Sequence, residues 1–104
     1  MAKIASGKTA SDSWVDYTDL REGIYIDVDT SAAKFKSTPV YTVALEGNGP
    51  MRLTCGLGSL YNVTPTGFRV YLTWAINLST LPYPLTSTYA TEHNWHIKWI
   101  GVED

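Results

Sequence analysis

This sequence predicts an all-β fold, a six-stranded antiparallel β-sandwich, and three observations predict it. Apolar and polar residues alternate with period two in several runs, and those runs are bounded by turns rich in Gly, Pro and Asn. No window of a dozen residues sustains the three- and four-residue apolar spacing of an amphipathic helix. The four Trp, seven Tyr and two Phe add side chains that bury large areas and favour extended backbone.

Taken in order, Ser13-Trp14-Val15 predicts a short opening strand, and Asp19 to Glu22 has room for one turn at most. Ile24, Ile26 and Val28 then fall on one face and Tyr25, Asp27 and Asp29 on the other, as in a strand with one wet side. Pro39 opens the next strand, Val40-Tyr41-Thr42-Val43-Ala44-Leu45, which stops at the turn Glu46-Gly47-Asn48-Gly49-Pro50. Met51 to Val63 predicts one long strand that Gly56 and Gly58 bend. Thr64-Pro65-Thr66-Gly67 turns it into a hairpin partner whose apolar side is Phe68, Val70, Leu72 and Trp74 and whose polar side is Arg69, Tyr71 and Thr73. Ala75 to His93, with Pro82, Pro84 and many hydroxyl residues, predicts a long connection of the kind that carries binding residues. The run Trp95 to Val102 closes the chain as a strand with Trp95, Ile97 and Trp99 on its core or protomer-contact face.

Composition bounds the function. A chain of 104 residues suits a single domain over 1–104, and 44% hydrophobic against 17% charged residues is enough apolar surface to fold. Eight basic and ten acidic residues, unclustered, give a net charge of −2, which argues against nucleic acid and anionic membranes as partners. No apolar run has the length of a membrane span or the form of a secretory signal, so the expectation is a soluble chain whose compartment, cytoplasmic or reached by non-classical export, stays open. Cys55 is the one cysteine; no intrachain disulfide can form, and its expected place is the core. No phosphate loop, nucleophile elbow or acidic pair on one strand occurs, so neither an enzyme nor a cofactor is expected. His93 and His96 have metal-like spacing, but three residues apart on a strand they point to opposite faces, which argues against a metal site. Asn62-Val63-Thr64 and Asn77-Leu78-Ser79 fit the glycosylation pattern, which carries meaning only in a secreted chain.

The run Leu60-Tyr61-Asn62-Val63-Thr64-Pro65-Thr66-Gly67-Phe68 with Thr73-Trp74 after it, and the closing His96-Ile97-Lys98-Trp99-Ile100-Gly101-Val102-Glu103, resemble the two signatures of the H-type lectin family. Ala5-Ser6-Gly7-Lys8 with Trp14, and Pro39-Val40, are similar to that family's opening and central-strand entry, so the resemblance spans nearly the whole chain. It implies a six-stranded sandwich, assembly into trimers or hexamers, and binding of galactose or N-acetylgalactosamine in shallow sites at protomer boundaries. It also implies the candidate ligand residues: Trp74 as the aromatic at the strand end, Arg52 as the basic residue on the preceding strand, and Asp16 or Asp19 as the loop carboxylate. The family's His beside that Trp is Ala75 here, and a fixed count back from Phe68 to the family's Arg reaches Cys55 rather than Arg52.

Sugar recognition needs acceptors for hydroxyls, a guanidinium or amide donor, and a ring face for C–H groups. Trp74, Arg52, Asp19 and the loop residue Tyr83 could supply them. Each has a structural alternative: Trp74 continues the Phe68-Val70-Leu72 stripe into the core, Arg52 and Asp19 are solvated charges, and Tyr83 anchors its loop. The function expected is a multivalent carbohydrate-binding module, with glycans and further copies of itself as partners. The alternative is an assembly domain of a larger fibre-like or secreted complex that has lost sugar binding.

Overall fold

Alternating side chains sort the chain into two antiparallel sheets that share one core. The computed structural model describes residues 2–18 and 22–104. Its strands are β1 (Lys3–Lys8), β2 (Val15–Tyr17), β3 (Gly23–Asp29), β4 (Val40–Glu46), β5 (Thr54–Cys55), β6 (Leu60–Thr64), β7 (Gly67–Trp74) and β8 (His96–Glu103). One sheet has the order β1-β8-β4; the other runs β2-β3-β7, with β5 and β6 both on the far edge of β7. The all-β, two-sheet expectation stands, but the described residues form eight strand segments where six were expected.

The central register follows from the two cleanest amphipathic runs. β3 pairs with β7 so that Ile24 faces Leu72, Ile26 faces Val70 and Val28 faces Phe68, all buried. A slip by one residue would turn these side chains into water, which is why the register is well specified. From the other sheet Tyr41, Ile97 and Trp99 meet them, and Trp95, just before β8, joins the same core. Thr30 is the one buried polar residue among those described; its hydroxyl lies 2.7 Å from Tyr41 Oη, which donates in turn to the Thr64 carbonyl at 2.8 Å.

Three indole N–H groups each find a main-chain carbonyl. Trp14 donates to Trp95, Trp74 to Pro82 and Trp95 to Asn48, at 2.9, 2.8 and 2.7 Å. These bonds tie the segment before β2, the loop after β7 and the loop after β4 to the core, while the rings satisfy their polar atom without leaving it.

Four expectations change. Met51 to Val63 is not one bent strand: a 3-10 turn at Met51–Leu53 leads into β5, and β6 starts afresh at Leu60. Gly56 breaks the run, with φ +115° and a position where a Cβ would fall 2.0 Å from the Tyr71 carbonyl oxygen. Cys55 is exposed, because its partner across the strands is Thr73 on the outer face of β7. The connection after β7 contains a helix, α1 (Ser87–Glu92), started by the Thr86 hydroxyl, which accepts from the Tyr89 N–H. β1 is an additional strand along β8, polar and mostly exposed in the manner of an edge strand.

Candidate functional site

Among the described residues, the candidate ligand residues Trp74, Asp16 and Arg52 do not converge. Trp74 is 1% exposed, packs edge-on against Trp95 and Tyr89 at 6.0 and 5.5 Å, and spends its N–H on Pro82; as a ligand-binding residue it is corrected to a core residue. Its phase with Val70 and Leu72 decides this: the last residue of a buried stripe stays buried unless the strand ends early. Asp16 lies on the edge strand β2 and accepts the Ser87 N–H at 2.7 Å, so one carboxylate oxygen holds the first turn of α1. Arg52 sits exposed in the 3-10 turn before β5. Three strand spacings, about 14 Å, separate the β2 and β5 edges that carry Asp16 and Arg52. Tyr83 is half exposed in the loop that Trp74 pins through Pro82. Asp19 lies outside the described residues.

The two histidines engage separate partners. His93 stacks on Tyr89 at 4.0 Å with Nδ1 2.8 Å from its carbonyl oxygen, and His96 Nε2 lies 3.2 Å from Glu46 Oε1. Among the described residues no three potential metal ligands come together.

What the fold does bring together is the outer face of the larger sheet. The register sets Tyr25 opposite Tyr71, Asp27 opposite Arg69, and Arg69 opposite Tyr61 on β6. Tyr17 on β2 completes the group, its ring 4.9 Å from Tyr71 and 6.3 Å from Tyr25; Tyr61 meets Tyr71 at 4.9 Å from the other side. Arg69 lies across this cluster. Its guanidinium is 4.0 Å from the Tyr25 ring centre, grips both Asp27 oxygens at 2.6 and 2.9 Å, and donates to Tyr71 Oη at 3.2 Å. The Arg69 hydrogen bond holds the Asp27 carboxyl below its ordinary range, and Asp27 in turn keeps Arg69 charged at any accessible pH. Fork-to-fork pairing and stacking fix both charged groups, so neither has much rotamer freedom left to lose. Tyr61 is half exposed at the β6 rim, with Val63 two residues along the same strand; Val15 is exposed at the opposite, β2 edge.

The sequence alone places Tyr25, Asp27, Arg69 and Tyr71 on the wet sides of their strands without assembling them, and assigns no face to Tyr17 or Tyr61. The signal was present: Tyr25 and Asp27 alternate against Ile24 and Ile26, and Arg69 and Tyr71 against Val70 and Leu72. Only the β3–β7 register converts two polar faces into one cluster.

Next to this face is a polar cleft of about 210 Å³, lined by Lys8, Thr9, Ala10, Ser13, Asp27, Val28, Asp29 and Trp99. Asp27 belongs to both. The outer face of the smaller sheet is different in character, with Ile4, Val102 and Val40 in one cross-strand row and Ile100 in the next, all exposed. No protein-family model and no curated protein matches this chain.

Proposed function

We propose that the protein is a carbohydrate-binding module that works multivalently, as an oligomer, on glycans of the galactose or N-acetylgalactosamine class. The observation that carries the proposal is the tyrosine face with its locked Arg69–Asp27 pair. The exposed ring of Tyr61 offers a π surface to sugar C–H groups, and tyrosine hydroxyls both donate and accept. Asp27 keeps lone pairs free for a sugar hydroxyl because Arg69 takes only one direction on each oxygen. A face already rigid before binding loses little entropy on binding. The sugar class and the trimeric or hexameric assembly rest on the resemblance to H-type lectins.

Shallow sites of this kind are weak singly and gain strength when several copies are displayed together. The aliphatic row Ile4, Val102, Val40 with Ile100 is a surface suited to contact between protomers. The test is a glycan array probed with the oligomeric protein and with Tyr61→Ala. Retention on galactose-type glycans that drops at least tenfold in the variant is expected; no retention of an oligomeric sample on any glycan refutes the proposal.

A second reading, an assembly domain without sugar binding, draws on one observation: Trp74 is buried and Asp16 is occupied by the start of α1, so two of the residues that the resemblance suggests are already engaged in the fold. It expects a stable oligomer by light scattering in which Tyr61→Ala and Arg69→Ala leave every partner interaction unchanged.

A further inference from the structure

The polar cleft beside the tyrosine face has a structural origin. β2 pairs with β3 only from Val15 opposite Tyr25 to Tyr17 opposite Gly23. Upstream of Val15 the chain leaves the sheet, because Trp14 is buried and donates to the Trp95 carbonyl. Further back it is strapped to the smaller sheet: Thr9 N–H donates to the Ile97 carbonyl, and Ile97 N–H donates to Thr9 Oγ1, both at 2.9 Å. The edge of β3 from Asp27 to Asp29 is therefore left facing a gap rather than a strand, and the gap is the 210 Å³ cleft.

Its chemistry is mixed in a particular way. Asp27 and Asp29 present carboxylates; hydrogen bonds from Ser31 hold the Asp29 carboxyl below its ordinary range, so it is ionised at neutral pH. Opposite them are the Ser13 hydroxyl, Lys8 and Thr9, whose oxygen already accepts from Ile97 and whose O–H remains a donor. Trp99 lines the cleft as well, with its Nε1 edge against Gly7, where a Cβ would come within 2.9 Å of that nitrogen. Unlike the other three indoles, that of Trp99 has no acceptor among the described residues, although the residue is 9% exposed. Since no fully buried side-chain N or O among the described residues lacks a partner, this N–H still reaches solvent.

We infer that the cleft is a second sugar subsite, taking one uncharged, hydroxyl-rich residue of a glycan whose neighbouring residue lies on the tyrosine face. Two carboxylates accept from adjacent ring hydroxyls, and the Trp99 N–H, Thr9 and Lys8 donate to ring and hydroxyl oxygens. Asp27 joins the two subsites: both of its oxygens accept from Arg69, and the residue also lines the cleft, where the lone pairs left on those oxygens can accept from a sugar hydroxyl. The inference rests on the carbohydrate-binding proposal, and it adds that the unit recognised is at least a disaccharide.

The experiment compares N-acetylgalactosamine with a disaccharide of N-acetylgalactosamine and galactose, titrated by calorimetry into the full chain, Asp29→Asn, Ser13→Leu and Tyr61→Ala. Asp29→Asn can keep the oxygen that accepts from Ser31 while the other oxygen becomes an amide donor and the charge is lost; Ser13→Leu fills the cleft from an exposed position. Expected is a disaccharide affinity at least tenfold above that of the monosaccharide, reduced to the monosaccharide level by Asp29→Asn and Ser13→Leu. The monosaccharide affinity is unchanged in those two variants, and Tyr61→Ala weakens both ligands. If the cleft variants change neither sugar, or weaken both equally, the cleft inference is overturned while the tyrosine face stands. If neither sugar binds the unaltered chain at millimolar concentration, the glycan proposal falls and the subsite with it.

Discussion

Replacing Trp74 by Phe separates a core residue from a binding residue. The indole is 1% exposed between Tyr89 and Trp95, and its N–H bonds the Pro82 carbonyl. Truncating the bicycle to a phenyl ring removes roughly two methylene equivalents of burial, about 1.6 kcal/mol. Losing the hydrogen bond adds about 1 kcal/mol. The expected destabilisation is therefore about 2–3 kcal/mol, out of a total that for domains of this size is about 5–15 kcal/mol, so the variant still folds. In a thermal melt followed by far-UV circular dichroism the midpoint falls by about 10–20 °C. Ligand binding measured well below that midpoint should match the unaltered protein. A wild-type midpoint, or glycan binding abolished in a variant of unchanged stability, would refute the placement of Trp74 in the core.

The other predictions concern the fold and its titration. Thr30→Val removes the buried hydroxyl beside Tyr41 Oη and lowers the urea-unfolding free energy by about 1–2 kcal/mol, whereas a value near zero would mean that Tyr41 and Thr64 need no third partner. Gly56→Ala must shift either its +115° φ or the Tyr71 carbonyl, and is expected to cost more than about 1 kcal/mol in the same assay, while Gly58→Ala, with nothing within 4 Å of the new Cβ, costs less. The folded carboxyls of Asp27, Asp29 and Glu103 lie below their ordinary range, through Arg69, Ser31 and Ser37 respectively. Their contribution is present above the unfolded value of about 4 and is lost as pH falls through the folded values, so the melting midpoint is level from pH 7 to 5 and declines below about 4. Asp27→Asn should flatten part of that decline, and an identical acid limb in the variant would show that Arg69 does not hold this carboxyl down.

The parts of the fold that sequence made legible are those where one side chain in two meets oil. Ile24-Ile26-Val28, Phe68-Val70-Leu72 and Ile97-Trp99 announce their strands, and the pairing follows. β1 was not legible because an edge strand with the residues Lys3–Lys8 buries little and shows no apolar alternation. α1 has six residues, too few for a periodic signal, and its start depends on Asp16, some seventy positions away. The exposure of Cys55 is not legible in the sequence because its surroundings are decided by the break at Gly56, which the residue pattern of Met51 to Val63 does not announce. For the site, chemistry was legible as residue type but not as place: Trp74 has the right ring and the wrong side of the sheet. Tyr25, Arg69 and Tyr61, lying on three different strands, become neighbours only through the register.

A crystal structure of the protein soaked with a glycan ending in N-acetylgalactosamine tests the central claim most directly. The account predicts sugar density against the Tyr61 ring and within hydrogen-bonding distance of Arg69 or Asp27. Density confined to the Arg52 and Tyr83 loops, or none at saturating sugar with that face open to solvent, would contradict it.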